Sequence, residues 1–283
     1  MSTSSWAIRP GRCSIRTAWR VRATRSISFA CSRIGPLEEI AGEAAAFRIV
    51  ALLSVLGILL MYHLGRAFGL SAAWSIAAAA ILAVFPTFVF FAVQPMTDSI
   101  AATFAIAAML GALRSRDRWW WAVIAGAALG IGVLVRPTQF LLFPALLIAL
   151  RFRPRALIGF GLGGLPFAIV QMAISQHLYG DPLSTGYGGI GYLLSLDNFV
   201  ARFKHYSYWL AVLATPLLFP GGIVVWFRRN EEWWTRAALA AWFLPFFLFY
   251  CFYAPYETWW YTRFLLPAVP ALIAGALLIL RPF

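Results

Sequence analysis

The sequence predicts an all-α protein that crosses a membrane many times, about nine in all. Three observations predict it. Apolar residues make up 62% of the 283 positions and charged residues only 12%, where a soluble domain carries about 25% charged residues. Apolar runs of roughly helix-span length follow one another along the chain. The arginines fall mostly between these runs and in one N-terminal block. There is too little polar surface to cover a globule, so lipid must cover the rest. The formal charge of +13 then reads as a topology signal at helix ends and not as a nucleic-acid surface.

Taken in order, the runs are Phe47–Leu64, Ala72–Val93, Ser99–Leu113, Trp119–Val135, Phe140–Leu150, Ala156–His177, Tyr206–Phe227, Ala237–Tyr253 and Phe264–Leu280. The fifth is only 11 residues long and is expected to be short, tilted or buried among its neighbours. The arginines test the count. One alternate set of loops holds Arg66, Arg114, Arg116, Arg118, Arg151, Arg153, Arg155, Arg228, Arg229, Arg236 and Arg281 against the acids Asp117, Glu231 and Glu232. The other set holds Arg136, Arg202, Lys204 and Arg263 against Asp98, Asp181, Asp197 and Glu257. The positive-inside rule puts the first set in the cytoplasm and the second outside. The alternation requires the short fifth run to count as a span.

Residues 1–37 do not fit this pattern. They would lie outside, with seven arginines and no acid. Three readings stay open: an Arg- and Ser-rich transit peptide, a cytoplasmic arm, or a misplaced or wrong-frame start. The third is preferred, because 22 arginines against one lysine suggest a GC-rich gene. The expected organisation is an aberrant or disordered segment over 1–37 and a transmembrane core over 38–283.

The polar residues hardest to explain gather on the outer side. Asp98 follows "QPMT" at a helix start, where Thr97 or Asp98 would cap the helix and an acid meets the positive end of the dipole. Ionisable groups at membrane depth also tend to face a cavity. Arg136 lies in "GVLVRPTQF", where proline stops the helix. It is either a snorkelling arginine at a helix C-terminus or a bidentate partner for an anion such as a lipid phosphate. The preceding "GALGIGVLV" supplies small residues for close helix packing.

The loop from His177 to Phe199 is glycine-rich, with Asp181-Pro182 starting a turn. A loop of this length is a lid, a binding loop or a plain linker. The stretch "YAPYETWWYTRFLLPAVPAL" carries Tyr253, Tyr256, Trp259, Trp260 and Tyr261, a set that an interfacial aromatic belt explains. The belt does not account for Glu257 and Arg263, which could pair with each other or line a site. His63, His177 and His205 lack metal-ligand spacing. Cys13, Cys31 and Cys251 fit neither a disulfide framework nor a zinc site.

Four stretches together, "FPTFVFFAVQPMTDSIAATFAIAAML", "GVLVRPTQFLLFPALL", "LYGDPLSTGYG" and "WWYTRFLLPAVPAL", resemble the core of the GT-C membrane glycosyltransferases. The nearest branch is the bacterial family-39-like one, akin to protein O-mannosyltransferases and the lipid A aminoarabinose transferase. The resemblance covers roughly residues 44–280. It implies a GT-C helical bundle and an inverting transfer of one sugar from a polyprenyl-phosphate donor to a lipid, glycan or protein acceptor. That transfer would take place on the outer face of a bacterial cytoplasmic membrane, with membrane lipids as partners and no nucleic acid. It implies no certain cofactor and leaves a divalent metal open.

By the same resemblance Asp98 and Glu257 are the catalytic candidates: Asp98 matches the acid after the "MT" element, where it would help organise the donor or acceptor pocket, and Glu257 would orient an arginine. Arg136 and Arg263 would clamp the donor phosphate. Asp181 and Tyr187 would belong to a loop over the donor, and Tyr261 to the substrate-binding set. The family's catalytic acid stands in a first external loop. Glu38, Glu39 and Glu43 do not match it, so the chain as written is expected to be N-terminally truncated and weak or inactive. A transporter or lipid flippase is the alternative, although transporters usually carry internal repeats and mid-membrane charges. A non-catalytic membrane scaffold is a third.

Overall fold

The computed structural model describes residues 43–183, 194–229, 231–253 and 258–281. The described residues form an all-α bundle of eleven α-helices and three 3₁₀ segments. The helices are α1 Glu43–Ala67, α2 Ala72–Val84, α3 Pro86–Ala92, α4 Asp98–Arg114, α5 Trp121–Val135, α6 Phe143–Ala149, α7 Pro154–Tyr179, α8 Asn198–Leu213, α9 Thr215–Val224, α10 Trp233–Phe252 and α11 Val269–Leu280. The nine expected runs are all mainly helical. Phe47–Ala67, Pro154–Tyr179, Trp233–Phe252 and Trp259–Leu280 are each long and apolar enough to cross a membrane. The number rises to six if each of two bent helix pairs is one span.

Two runs differ from a simple helix for the same reason. A residue before proline is pushed out of the helical region, so Phe85 is extended ahead of Pro86 and the second run breaks into α2 and α3 at 62°. Arg136 is likewise extended ahead of Pro137. The short fifth run is therefore a 3₁₀ turn, Pro137–Leu142, followed by the seven-residue α6.

Small residues set the packing. A Cβ on Gly126 of α5 would collide with the Phe160 carbonyl of α7, and one on Gly163 of α7 with the Val123 carbonyl of α5. The two helices approach backbone to backbone, as the run of small residues predicts. Helix α4 is buried on nearly every side, as is α11. A helix apolar all round belongs inside the bundle. Helices α1 and α7 are mostly uncovered and present Leu52, Leu59, Ile158, Leu162 and Ile169 outward, the kind of surface that lipid covers. Buried polar tethers tie the interior together. The Thr103 hydroxyl of α4 donates to the Leu53 carbonyl of α1 at 3.0 Å. The Trp242 indole of α10 donates to the Pro267 carbonyl at 2.9 Å.

The chain reversal between α4 and α5 sorts the charges. At one end Arg114 lies over the Trp121 ring at 5.0 Å. That end also gathers the arginine-rich loops. Glu232 meets Arg151 at 2.5 Å and Arg116 at 3.8 Å. Arg281 meets Glu231, and Arg228 donates to the Ile279 carbonyl. The other end of the same two helices carries Asp98 and Arg136.

Candidate functional site

Arg136 occupies the C-cap of α5 with φ −150° and ψ 110°, its N–H donating to the Gly132 carbonyl at 2.8 Å. The extended turn sends its side chain inward, where a guanidinium nitrogen donates to the carboxylate of Asp98. Asp98 opens α4. The Thr97 at its N-cap makes no side-chain capping bond, so the expected hydroxyl cap is corrected. Thr97 has a helical backbone, whereas a capping side chain needs a non-helical one. Asp98 sits in the first turn, where an acid favours the dipole, but its carboxylate pairs with Arg136. Both side chains are more than nine-tenths buried, so Arg136 does not snorkel.

A third helix completes the frame. Arg136 donates its other terminal nitrogen to the Tyr250 hydroxyl of α10 at 3.4 Å, and that hydroxyl donates to the Thr138 hydroxyl at 3.0 Å. Tyr250 stacks on Phe264 with centroids 4.9 Å apart and an interplanar angle of 11°. Phe264 belongs to the 3₁₀ segment Trp259–Ala268. Its ring faces two cations, Arg136 at 5.0 Å and Arg263 at 5.2 Å. Each such contact is worth about 0.5–2 kcal/mol, more when desolvated. Arg263 also lies over Phe91 and Tyr261, at 5.6 and 5.4 Å, with a terminal nitrogen 3.4 Å from the Met96 sulfur. The segment is anchored to α3 by the shared hydroxyl bond of Thr87 and Thr262 at 3.2 Å.

The structure therefore brings together Asp98, Arg136, Arg263 and Tyr261 of the sequence-predicted set. Asp181 is exposed, and its carboxylate accepts from the Leu183 N–H two residues on, a local turn at the end of α7. Glu257 and Tyr187 lie outside the described residues. Sequence reasoning missed Tyr250 and Phe264. They sit within "FFLFYCFYAPY" and "TRFLL", where one more ring carries no signal. It also passed over Arg202, a buried arginine on α8. Among the described residues no three His, Cys, Asp or Glu side chains come together as a metal set, and no step below runs through a metal.

Among the described residues two arginines and one carboxylate leave an excess of positive charge in a cluster walled by aromatic rings. Such a cluster is suited to a phosphate. Residues 39–174 match the family model of the dolichyl-phosphate-mannose-protein mannosyltransferases. This stretch, just under half of the chain, is similar to that GT-C-type glycosyltransferase family. No curated protein matches the chain, and no solved structure does. The GT-C match includes Asp98 and Arg136 and ends before Tyr250 and Arg263. The hydrogen bond from Arg136 to Tyr250 joins the matched GT-C segment to the rest of the bundle.

Proposed function

We propose that the chain transfers a sugar from a polyprenyl-phosphate donor to a lipid, glycan or protein acceptor, at the bundle end that holds Asp98 and Arg136. The observation that carries this reading is the Arg136–Phe264–Arg263 arrangement, two cations on one ring beside a buried carboxylate, in a chain with a GT-C match. The positive-inside rule, applied to the arginine-rich loops at the other end, supports reading this end as the outer face.

In an inverting transfer the acceptor hydroxyl oxygen attacks the anomeric carbon while the sugar–phosphate bond breaks, the bond electrons go to the phosphate, and the hydroxyl proton passes to a base or to the released phosphate. Fixed cations aimed at that oxygen lower the barrier because they need no reorganisation as its charge grows. Asp98 and Tyr250 hold the Arg136 guanidinium in place. Arg263 is the less buried arm, and its Nε has no acceptor among the described residues, which makes it the arm that closes on phosphate. Asp98 has its carboxylate committed to Arg136 and acts here as the organiser of the clamp. Glu257 and Tyr187 remain assigned by resemblance alone, to orienting an arginine and to the donor loop. Asp181 would act at the edge of that loop.

Proteoliposomes given a polyprenyl-phosphate donor with a radiolabelled sugar test the proposal. Label passing to an acceptor supports it. Uptake of solute or lipid across the bilayer without transfer would favour the transporter reading instead.

A further inference from the structure

The arginine-rich end carries a second cluster, at the opposite end of α4 and α5 from the first and unused by the transfer chemistry. Arg116, in the turn after α4, and Arg151, in the turn after α6, converge on the single carboxylate of Glu232, at 3.8 and 2.5 Å. Arg151 and the following Phe152 both adopt left-handed backbone, with φ of 53° and 51°. Side-chain-bearing residues rarely hold that conformation unless their surroundings over-determine it. Here it directs Arg151 at Glu232 and places its guanidinium 6.0 Å from the Trp234 ring. Arg153 crosses to the same turn, donating to the Ser115 and Arg116 carbonyls at 2.6 and 3.3 Å.

Among the described residues Glu232 is the one carboxylate paired directly with this set, and Asp117 adds a second negative charge beside Arg116, so three arginines face two acids. Among the described residues Nε and Nη2 of Arg116 and Nε of Arg151 have no acceptor. Burial, and after it the charge of Arg151, lowers the affinity of Arg116 for its own proton, against an opposing pull from Glu232. The cluster thus has surplus donors and surplus charge. Its surroundings specify the medium. Trp119, Trp120, Trp233 and Phe152 are large apolar side chains left exposed around it, and aromatic rings of this kind collect at headgroup depth.

We propose that Arg116 and Arg151, backed by Arg153, bind the headgroup phosphate of an anionic phospholipid, with Glu232 as the internal group that the phosphate displaces. Guanidinium forks match phosphate oxygens in pairs, and basic pockets between membrane helices are suited to lipid phosphates. The exposed tryptophans would flank the glycerol region. The site needs no sugar transfer, so it stands or falls apart from the proposed activity.

The test uses the full chain in detergent, titrated with short-chain phosphatidylglycerol while the thermal midpoint is followed. Short-chain phosphatidylcholine and inorganic phosphate form the other two arms. Phosphatidylglycerol alone is expected to raise the midpoint. Arg116→Gln and Arg151→Gln should each weaken its apparent affinity about fivefold. Glu232→Gln, which removes the competing carboxylate, should strengthen it, and this variant serves if the arginine variants fold poorly. Equal affinity in all variants would overturn the proposal. So would a midpoint shift that inorganic phosphate reproduces in full, since the site would then take a free anion and not a lipid.

Discussion

Arg136 and Asp98 form a buried ion pair across the adjoining ends of α5 and α4, with 9% and 8% of their side chains exposed. They are 38 residues apart and meet because α4 and α5 run antiparallel. Removing one partner from a buried pair leaves an uncompensated charge, which costs about 3–5 kcal/mol. Asp98→Leu and Arg136→Met should therefore each lower the thermal midpoint strongly. Replacing both residues by Leu and Met, respectively, should cost less than the sum of the two single changes, because no orphan charge remains. Thermal unfolding of the four proteins in one detergent checks this, and strict additivity would mean that the pair contributes no coupling.

Tyr250 is expected to act through Arg136. Tyr250→Phe keeps the stack on Phe264 but loses the hydroxyl that links Arg136 to Thr138. The stability cost should be modest, about 1 kcal/mol. Sugar transfer should fall more than that loss of stability explains, with the donor concentration dependence altered. Tyr250→Leu should be worse on both counts, since the ring shared with Phe264 goes too.

The close approach of α5 and α7 makes opposite predictions for neighbouring glycines. Alanine in place of glycine raises intrinsic helix propensity by about 1 kcal/mol. At Gly161, where a Cβ meets nothing within 4 Å, Gly161→Ala should be neutral or stabilising. At Gly126 and Gly163 the added carbon runs into the facing backbone, and overpacking costs about 1–3 kcal/mol. Comparing the unfolding midpoints of the three variants reads this directly.

Asp98 and Arg136 were visible in the sequence as ions in the wrong place, but not as each other's partner. Pairing depends on which helix ends meet, and local pattern does not encode that. The helix boundaries show the same limit. A run such as Ala72–Val93 is apolar throughout, so composition reads one span, while the constraint before Pro86 divides it. The small-residue stretch in α5 was legible because its consequence is local, a backbone close enough for another to touch. Tyr250 and Phe264 were not, because among so many aromatic residues only the neighbours distinguish a ring that holds an arginine from one that fills space. Of the arginines read as one set of loops, Arg116, Arg151, Arg228 and Arg281 meet acids or helix ends at one end of the bundle.

Donor binding tests the phosphate clamp more directly than turnover, because it does not depend on which group takes the acceptor's proton. Polyprenyl phosphate is titrated into the purified chain and into Arg263→Gln, and the dissociation constants are compared. A charge-assisted hydrogen bond of roughly 1.5–3 kcal/mol predicts a loss of about tenfold or more in Arg263→Gln, with the thermal midpoint of the free protein little changed. Equal affinity in the two proteins would contradict the clamp and, with it, the assignment of this end of the bundle to sugar transfer.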